Sequence, residues 1–350
     1  MRCAPLSAIL AIALALGASS ARAAGIPIVI GLLLPPDEPE AESIRRGARV
    51  AIEEANAEGT FVRLAVRGRK GVWGSDAPEA ARLVEEDEAV ALIAPPDGAG
   101  THLVLQIAGR TGVPIASLCP DLSVTRTAIP WIVRVAPSGA EEARALFEAQ
   151  RISRWLAVVP QGRAGREAAR DLASVCGSRS LTVVEEGRGA PLERRVLDGR
   201  IEGVLLWLAP EPAARIARAL RSAGFQGTLA GPSHLATRSF RAAAGVATEG
   251  FIVAVPRREP GSETAFATRF RSLFGEEPDP SALLAHDAAT LLIRLVASSG
   301  AEGARRAFPL TRSIPGASGS LAFDGHGNRL VTLAPVRLAA DAGRARAGRS

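Results

Sequence analysis

Ile28-Val29-Ile30-Gly31-Leu32-Leu33-Leu34-Pro35-Pro36 is the stretch on which the architecture turns. A strand with one wet face alternates apolar and polar residues. This run has no polar residue before the two prolines, as a strand buried on both faces requires, and such strands belong to parallel sheets covered by helices. Proline has no N–H to give to a ladder, so Pro35 and Pro36 end the strand. Ile44, Ala48, Ala51, Ile52 and Ala55 then recur at spacings of three and four, one face of a helix that Gly59 stops. Phe61–Val66 follows as a second strand, which completes a strand–helix–strand unit.

Working outward, the alternation continues. Asp76-Ala77-Pro78-Glu79 reads as a helix start, with an acidic cap, an early proline and a glutamate three residues on. Strands are expected at Ala89–Ile93, Val113–Ser117 and Ile132–Val135, with a helix over Thr101–Arg110. The pattern then restarts. Helices fall at Glu141–Gln150, Gly165–Cys176 and Ala213–Ala223, and strands at Trp155–Val159, Leu181–Glu185, Val204–Leu208, Thr228–Ala230 and Phe251–Val255. Helices over Thr264–Phe274 and Ser281–Ser299 follow, then strands at Ser320–Phe323 and Leu330–Leu338 around the turn-rich Asp324–Asn328. Two β/α blocks of about 110 residues give a two-lobed α/β architecture, consistent with about 150 residues per domain.

Composition excludes several classes. Of 350 residues, 47% are hydrophobic and 22% charged, enough apolar mass for a sizeable core. The net charge of +6 comes from basic residues scattered among acids, so no nucleic-acid arm is read and no nucleic-acid partner is expected. The N-terminus looks like a secretory leader. Arg2 precedes an apolar run of roughly a dozen residues, Ala4 to Leu16, and Ala21-Arg22-Ala23 supplies an A-x-A cleavage site. Cleavage after Ala23 and a periplasmic location are expected. Of the three cysteines, Cys119 and Cys176 lie beyond the leader. The strand-end rule puts Cys119 at the cleft, where an accessible thiol is expected, and puts Cys176 at the far end of a second-lobe helix, so no bridge between them is expected.

Catalytic and metal motifs are sparse. The four histidines, His102, His234, His286 and His326, form no H-E-x-x-H pair, and neither C-x-x-C nor G-x-S-x-G occurs. No catalytic residue, metal site or cofactor is assigned. Gly162-Arg163-Ala164-Gly165 lacks the glycine and lysine positions of a phosphate loop and reads as a strand-to-helix turn. In open α/β sheets, ligands bind beyond the carboxyl ends of the strands. Here those loops are Pro35–Glu38, Pro95–Thr101, Leu118–Ser123, Gln161–Gly165, Leu208–Pro210 and Pro232–Leu235.

The chain resembles the leucine/isoleucine/valine-type (type I) periplasmic binding proteins, the solute receptors of ABC importers. The resemblance rests on Ile30-Gly31-Leu32 leading to Pro35, Gly47-Ala48 with Ala55-Asn56, Ile93-Ala94-Pro95, and Gly112-Val113-Pro114-Ile115. Ile129-Pro130-Trp131-Ile132-Val133-Arg134-Val135-Ala136-Pro137-Ser138 matches the family's crossover, and Gly231-Pro232, Glu249-Gly250-Phe251 and Gly319–Asp324 follow in order. It implies a hinge between two lobes, each a mostly parallel sheet flanked by helices. The expected division is leader 1–23, first lobe 24–135 with 257–323, and second lobe 136–256 with 324–345. It also implies a small-molecule solute, a partner permease in the inner membrane, and a monomer. A ligand sensor that docks on a signalling protein is the alternative.

The departures bear on the ligand. Amino-acid receptors of the family hold the ligand carboxylate with a serine and a threonine, where Gly98 and Pro120 stand here, and the ammonium with an acid where Ser233 stands. The family's second-lobe tyrosines are missing, since the chain has no tyrosine. An ordinary branched-chain amino acid is therefore not the expected solute. Backbone amides at Gly98 and Ala99 and the fork of Arg163 would instead suit an anionic group. Trp73 and Trp207 either wall an apolar part of the solute or pack in the core. The candidate ligand contacts are Asp97, Gly98, Ala99, Thr101, Cys119, Asp121, Arg163, Trp207, Ser233 and His234.

Overall fold

The computed structural model describes residues 27–38, 40–68, 76–188, 191–257, 262–308 and 313–339. The leader, Trp73 and residues 340–345 lie outside the described residues.

The opening run is β1 (Ile28–Leu33), followed by α1 (Ala41–Ala57), β2 (Val62–Arg67), α2 (Asp76–Glu85), β3 (Ala91–Ala94), α3 (Gly98–Thr111), β4 (Ile115–Ser117) and β5 (Ile132–Arg134). The strands form one parallel sheet in the order β2-β1-β3-β4-β5. The unbroken apolarity of β1 has its explanation in the packing. Ile30 and Leu32 enter the core cluster shared with α1, while Val29 and Leu33 enter the cluster on the other face with residues of α2 and α3. Both faces are covered, so neither tolerates a polar residue.

The second lobe repeats the plan. It runs α4 (Gly139–Ala149), β6 (Arg154–Val159), α5 (Gly162–Val175), β7 (Ser180–Glu185), α6 (Leu192–Asp198), β8 (Gly203–Leu206), α7 (Pro210–Ser222), β9 (Thr228–Gly231), α8 (Arg238–Ala244) and β10 (Ile252–Pro256). The chain then forms α9 (Ser262–Phe274), α10 (Pro280–Arg306), β11 (Ile314–Gly316), β12 (Gly319–Leu321) and β13 (Leu333–Arg337). The second sheet has the order β13-β10-β9-β8-β6-β7, parallel except for β13 against β10. α10 is long and apolar enough by composition to cross a membrane, yet most of it is buried here, and it packs along α1 as a core helix of the first lobe.

The chain passes between the sheets after β5, after β10 and before β13. At the first passage Ser138 and Glu141 form a capping box on α4, with Ser138 Oγ accepting the Glu141 N–H at 3.2 Å and Glu141 Oε2 accepting the Ser138 N–H at 2.7 Å. Two buried guanidiniums tie the passages together. Arg134 donates to the Ala136 carbonyl and to Asn328 Oδ1, and Arg329 donates to the carbonyls of Val135 and Ser318. The bridge between Arg134 and Asn328 keeps the 324–328 turn beside the first sheet, so the last passage runs through residues 330–332 rather than at 324.

Candidate ligand-binding cleft

All six strand-end loops singled out above converge on one cavity of about 400 Å³ between the lobes. The first lobe contributes Glu38 and Glu40 from the loop after β1, Pro96 and Asp97 after β3, Leu118 and Pro120 after β4, and Ile44 of α1. Pro280, Ser281 and Leu284 reach in from the start of α10. Ala136 and Pro137 of the first passage form the back. The second lobe contributes Glu142 of α4, Pro160 and Ala164 around the start of α5, Trp207 to Pro210 after β8, and Ser233 and His234 after β9. The walls are therefore mostly aliphatic and proline surface with a few carboxylates set into them.

Three of those carboxylates, Glu142, Glu40 and Glu38, are perturbed by their surroundings. Glu142 is only 5% exposed. Its Oε1 accepts the Ser233 N–H at 3.0 Å, and burial pushes its carboxyl up to about 7 against the opposing pull of Ser233 and His234. Glu40 accepts the Ser281 hydroxyl, and burial raises it to about 7. Glu38 rises to about 7 through burial and through its acidic neighbours Glu40, Asp97 and Asp37. Among the described residues no Lys or Arg lines the cavity, and no three His, Cys, Asp or Glu side chains group as a metal site.

The sequence-derived candidates divide. Asp97, Trp207, Ser233 and His234 line the cavity. Trp207 both lines the cavity and packs against the second-lobe core cluster. His234 Nε2 donates to the Leu208 carbonyl at 2.9 Å, which fixes its ring beside the wall. The others stand back from the cavity. Thr101 is fully buried and donates to the Pro95 carbonyl. Gly98 and Ala99 open α3, where Asp97 Oδ1 already accepts the Gly100 N–H at 2.7 Å. Asp121 accepts the amide and hydroxyl of Ser123, and its Oδ2 lies 3.0 Å from where a Gly98 Cβ would be. Arg163 is a correction: its side chain is 65% exposed, bonds Glu167 Oε1 at 2.6 Å, and reaches Asp121 only at 4.0 Å. A guanidinium at the start of a helix finds the acid one turn on before it finds the cleft.

Cys119 is a second correction. Its side chain is 1% exposed, and burial pushes the thiol up to about 12, so it is neither accessible nor ionised. Both Cys119 and Cys176 are free. A thiol reagent should label Cys176 in the native protein and Cys119 only on unfolding, as mass spectrometry of the labelled peptides would show. Fast native labelling of Cys119 would contradict this placement.

The position after Gly231-Pro232 lacks an acid in sequence, but the Glu142 carboxylate sits on the Ser233 amide in space. Glu142 was missed although Ser138-x-x-Glu141 marks a helix start, and Glu142 is the next residue in that first turn.

A family model for periplasmic binding proteins matches residues 27–342. No protein of curated function matches the chain. Solved structures share the fold at low identity. LivJ of Streptococcus pneumoniae in complex with isoleucine is 15% identical, with a TM-score of 0.77 over 89% of this chain and 96% of that one. The leucine-binding protein LivK of Thermotoga maritima is 18% identical, with a TM-score of 0.78 over 89% and 95%. A solute-binding protein of an R. palustris ABC transporter in complex with benzoate is 19% identical, with a TM-score of 0.76 over 90% and 94%. These likenesses establish the type I periplasmic-binding-protein fold. With the family model spanning both lobes and the cavity between them, the chain belongs to the periplasmic binding protein family.

Proposed function

We propose that the protein is the solute-capturing component of an ABC-type importer, exported through its leader, and that it delivers a small organic solute to a permease in the inner membrane. The observation that carries this reading is the cavity itself. Its volume suits a small molecule, its walls come from both lobes, and Ala136 and Pro137 of the first passage between the lobes line it as well. A solute touching both walls favours the closed arrangement over the open one by its differential contacts. The same fold holds isoleucine in one relative and benzoate in another, so the fold alone leaves the solute class open. The reading is of a binder rather than a catalyst.

A thermal-shift screen of amines, amino acids, amides and aromatic acids tests it. A ligand present at 100 times its Kd adds about 2.7 kcal/mol to the stability of the native state, which raises Tm measurably. Loss of uptake of that ligand on deletion of the gene would tie binding to transport. A full screen with no shift would sink the proposal.

A further inference from the structure

We propose that the cleft selects a solute carrying a cationic nitrogen on an apolar frame and lacking a carboxylate, with Glu142 as the counter-charge. This rests on the solute-capture reading and goes beyond it by naming the charge class. Four carboxylates, Glu38, Glu40, Asp97 and Glu142, face the cavity, and among the described residues no guanidinium or ammonium does. Glu142 is the decisive one. It is more than nine-tenths buried, it lines the cavity, and its hydrogen-bonding partner is the neutral Ser233. Among the described residues it forms no ion pair, and His234 lines the cavity with it. A buried carboxylate without a cation is costly unless a ligand supplies one.

Three of the helix starts that would receive an anion are already capped by the protein's own side chains. At the start of α3, Asp97 Oδ1 accepts the Gly100 N–H, and Asp121 lies beside Gly98 while accepting from Ser123. The start of α4 is closed by the Ser138–Glu141 capping box, and that of α10 by Asp279, which accepts the Ala282 N–H at 3.0 Å. α7 opens with Pro210, which has no N–H. α5, α1 and α7, whose Gln161, Glu40 and Ala209 make no side-chain capping bond, leave amides near the wall unclaimed by a side-chain cap. Leu118, Leu208, Leu284, Ile44 and Trp207 supply the surface for the apolar frame.

Three probes with one aromatic frame and different charge test this: 2-phenylethylamine, phenylalanine and 3-phenylpropanoate, titrated calorimetrically into the mature protein. The amine should bind, and at least about tenfold more tightly than either carboxylate-bearing probe. Glu142→Gln keeps an acceptor for the Ser233 amide, so the wall should stand, with Tm as the check. It should weaken the amine by about tenfold to a hundredfold, the range for a charged hydrogen bond. Glu142 is faced by Glu141 on its own helix, by His234 after β9, and by Glu38, Glu40 and Asp97 around the cavity. Since burial holds its proton on up to about 7, amine binding should release protons and tighten as pH rises from about 6 to about 8. Tighter binding of 3-phenylpropanoate than of the amine would overturn the charge assignment and leave solute capture standing. Amine binding that Glu142→Gln does not change, or no amine binding at all, would also overturn it. The thermal-shift screen judges the capture reading separately.

Discussion

Asp287→Ala should lower the unfolding free energy by about 3–5 kcal/mol, the range for breaking a buried charged pair. Asp287 is fully buried on α10. It accepts the Ala317 N–H at 2.6 Å, the Ser318 N–H at 3.0 Å and the Ser318 hydroxyl, and its Oδ1 lies 3.6 Å from Nδ1 of His286. His286 in turn meets Glu54 of α1 through Nε2 at 2.8 Å. Truncation strands two amide donors with no water to replace the acceptor. It also removes one of the two acids that keep His286 charged. Burial by itself would lower the histidine, but Asp287 and Glu54 override it and hold it at about 9. A raised histidine stabilises the fold fully below its ordinary value of 6.5, and that contribution fades as pH rises through about 9. The wild type should therefore lose stability between those limits, and Asp287→Ala should flatten that dependence. Urea titrations across the same pH window measure both. A loss under about 1 kcal/mol, with the pH slope unchanged, would mean that the 317–318 turn rehydrates and that Asp287 holds little.

The fold was legible because its decisive signals are local. The run 28–34 declares a strand covered on both faces, and the structure covers it with α1 and α10 on one side and α2 and α3 on the other. The six strand-end loops were legible for the same reason, since each follows a strand that could be read. What failed was anything depending on which loop faces which. Glu142 and Ser233 are 91 residues apart, and only the docking of α4 over the end of β9 makes them partners. The starts of α4 and α8 carry caps that are local in sequence. Ser138 and Glu141 close the first, and Thr237 accepts the Phe240 N–H at 3.2 Å at the second. Arg163 differs in that its partner is local, because Glu167 stands one turn away on the same helix. A strand-end arginine is no anchor when its own helix already pairs it.

Gly47→Ala should destabilise the protein by about 2 kcal/mol net, even though the exchange improves helix propensity by about 1 kcal/mol. Gly47 lies buried in α1 where it crosses the start of α10. A Cβ there would sit 2.0 Å from the Ala282 carbonyl oxygen, 2.6 Å from its carbon and 2.7 Å from its Cα. All three are main-chain atoms, which no rotamer change can move aside. Overpacking a close-packed core costs about 1–3 kcal/mol, and the upper end is expected when a helix backbone must retreat. Gly109→Ala in α3 is the control, because its Cβ would meet only side-chain atoms of Ile129, the nearest at 3.2 Å. There the propensity gain should survive, and the variant should match or exceed the parent. The crossing also matters to the cleft. Ser281 and Leu284 line the cavity one and two residues on either side of that contact, and Ser281 donates to Glu40. Pushing α10 away from α1 should therefore weaken solute binding as well as stability, whereas Gly109→Ala should leave binding alone. Chemical denaturation and ligand titration on the two variants decide it. Equal stability of Gly47→Ala and Gly109→Ala would mean that the α1–α10 crossing has slack, and that glycine at position 47 is there for some reason other than contact.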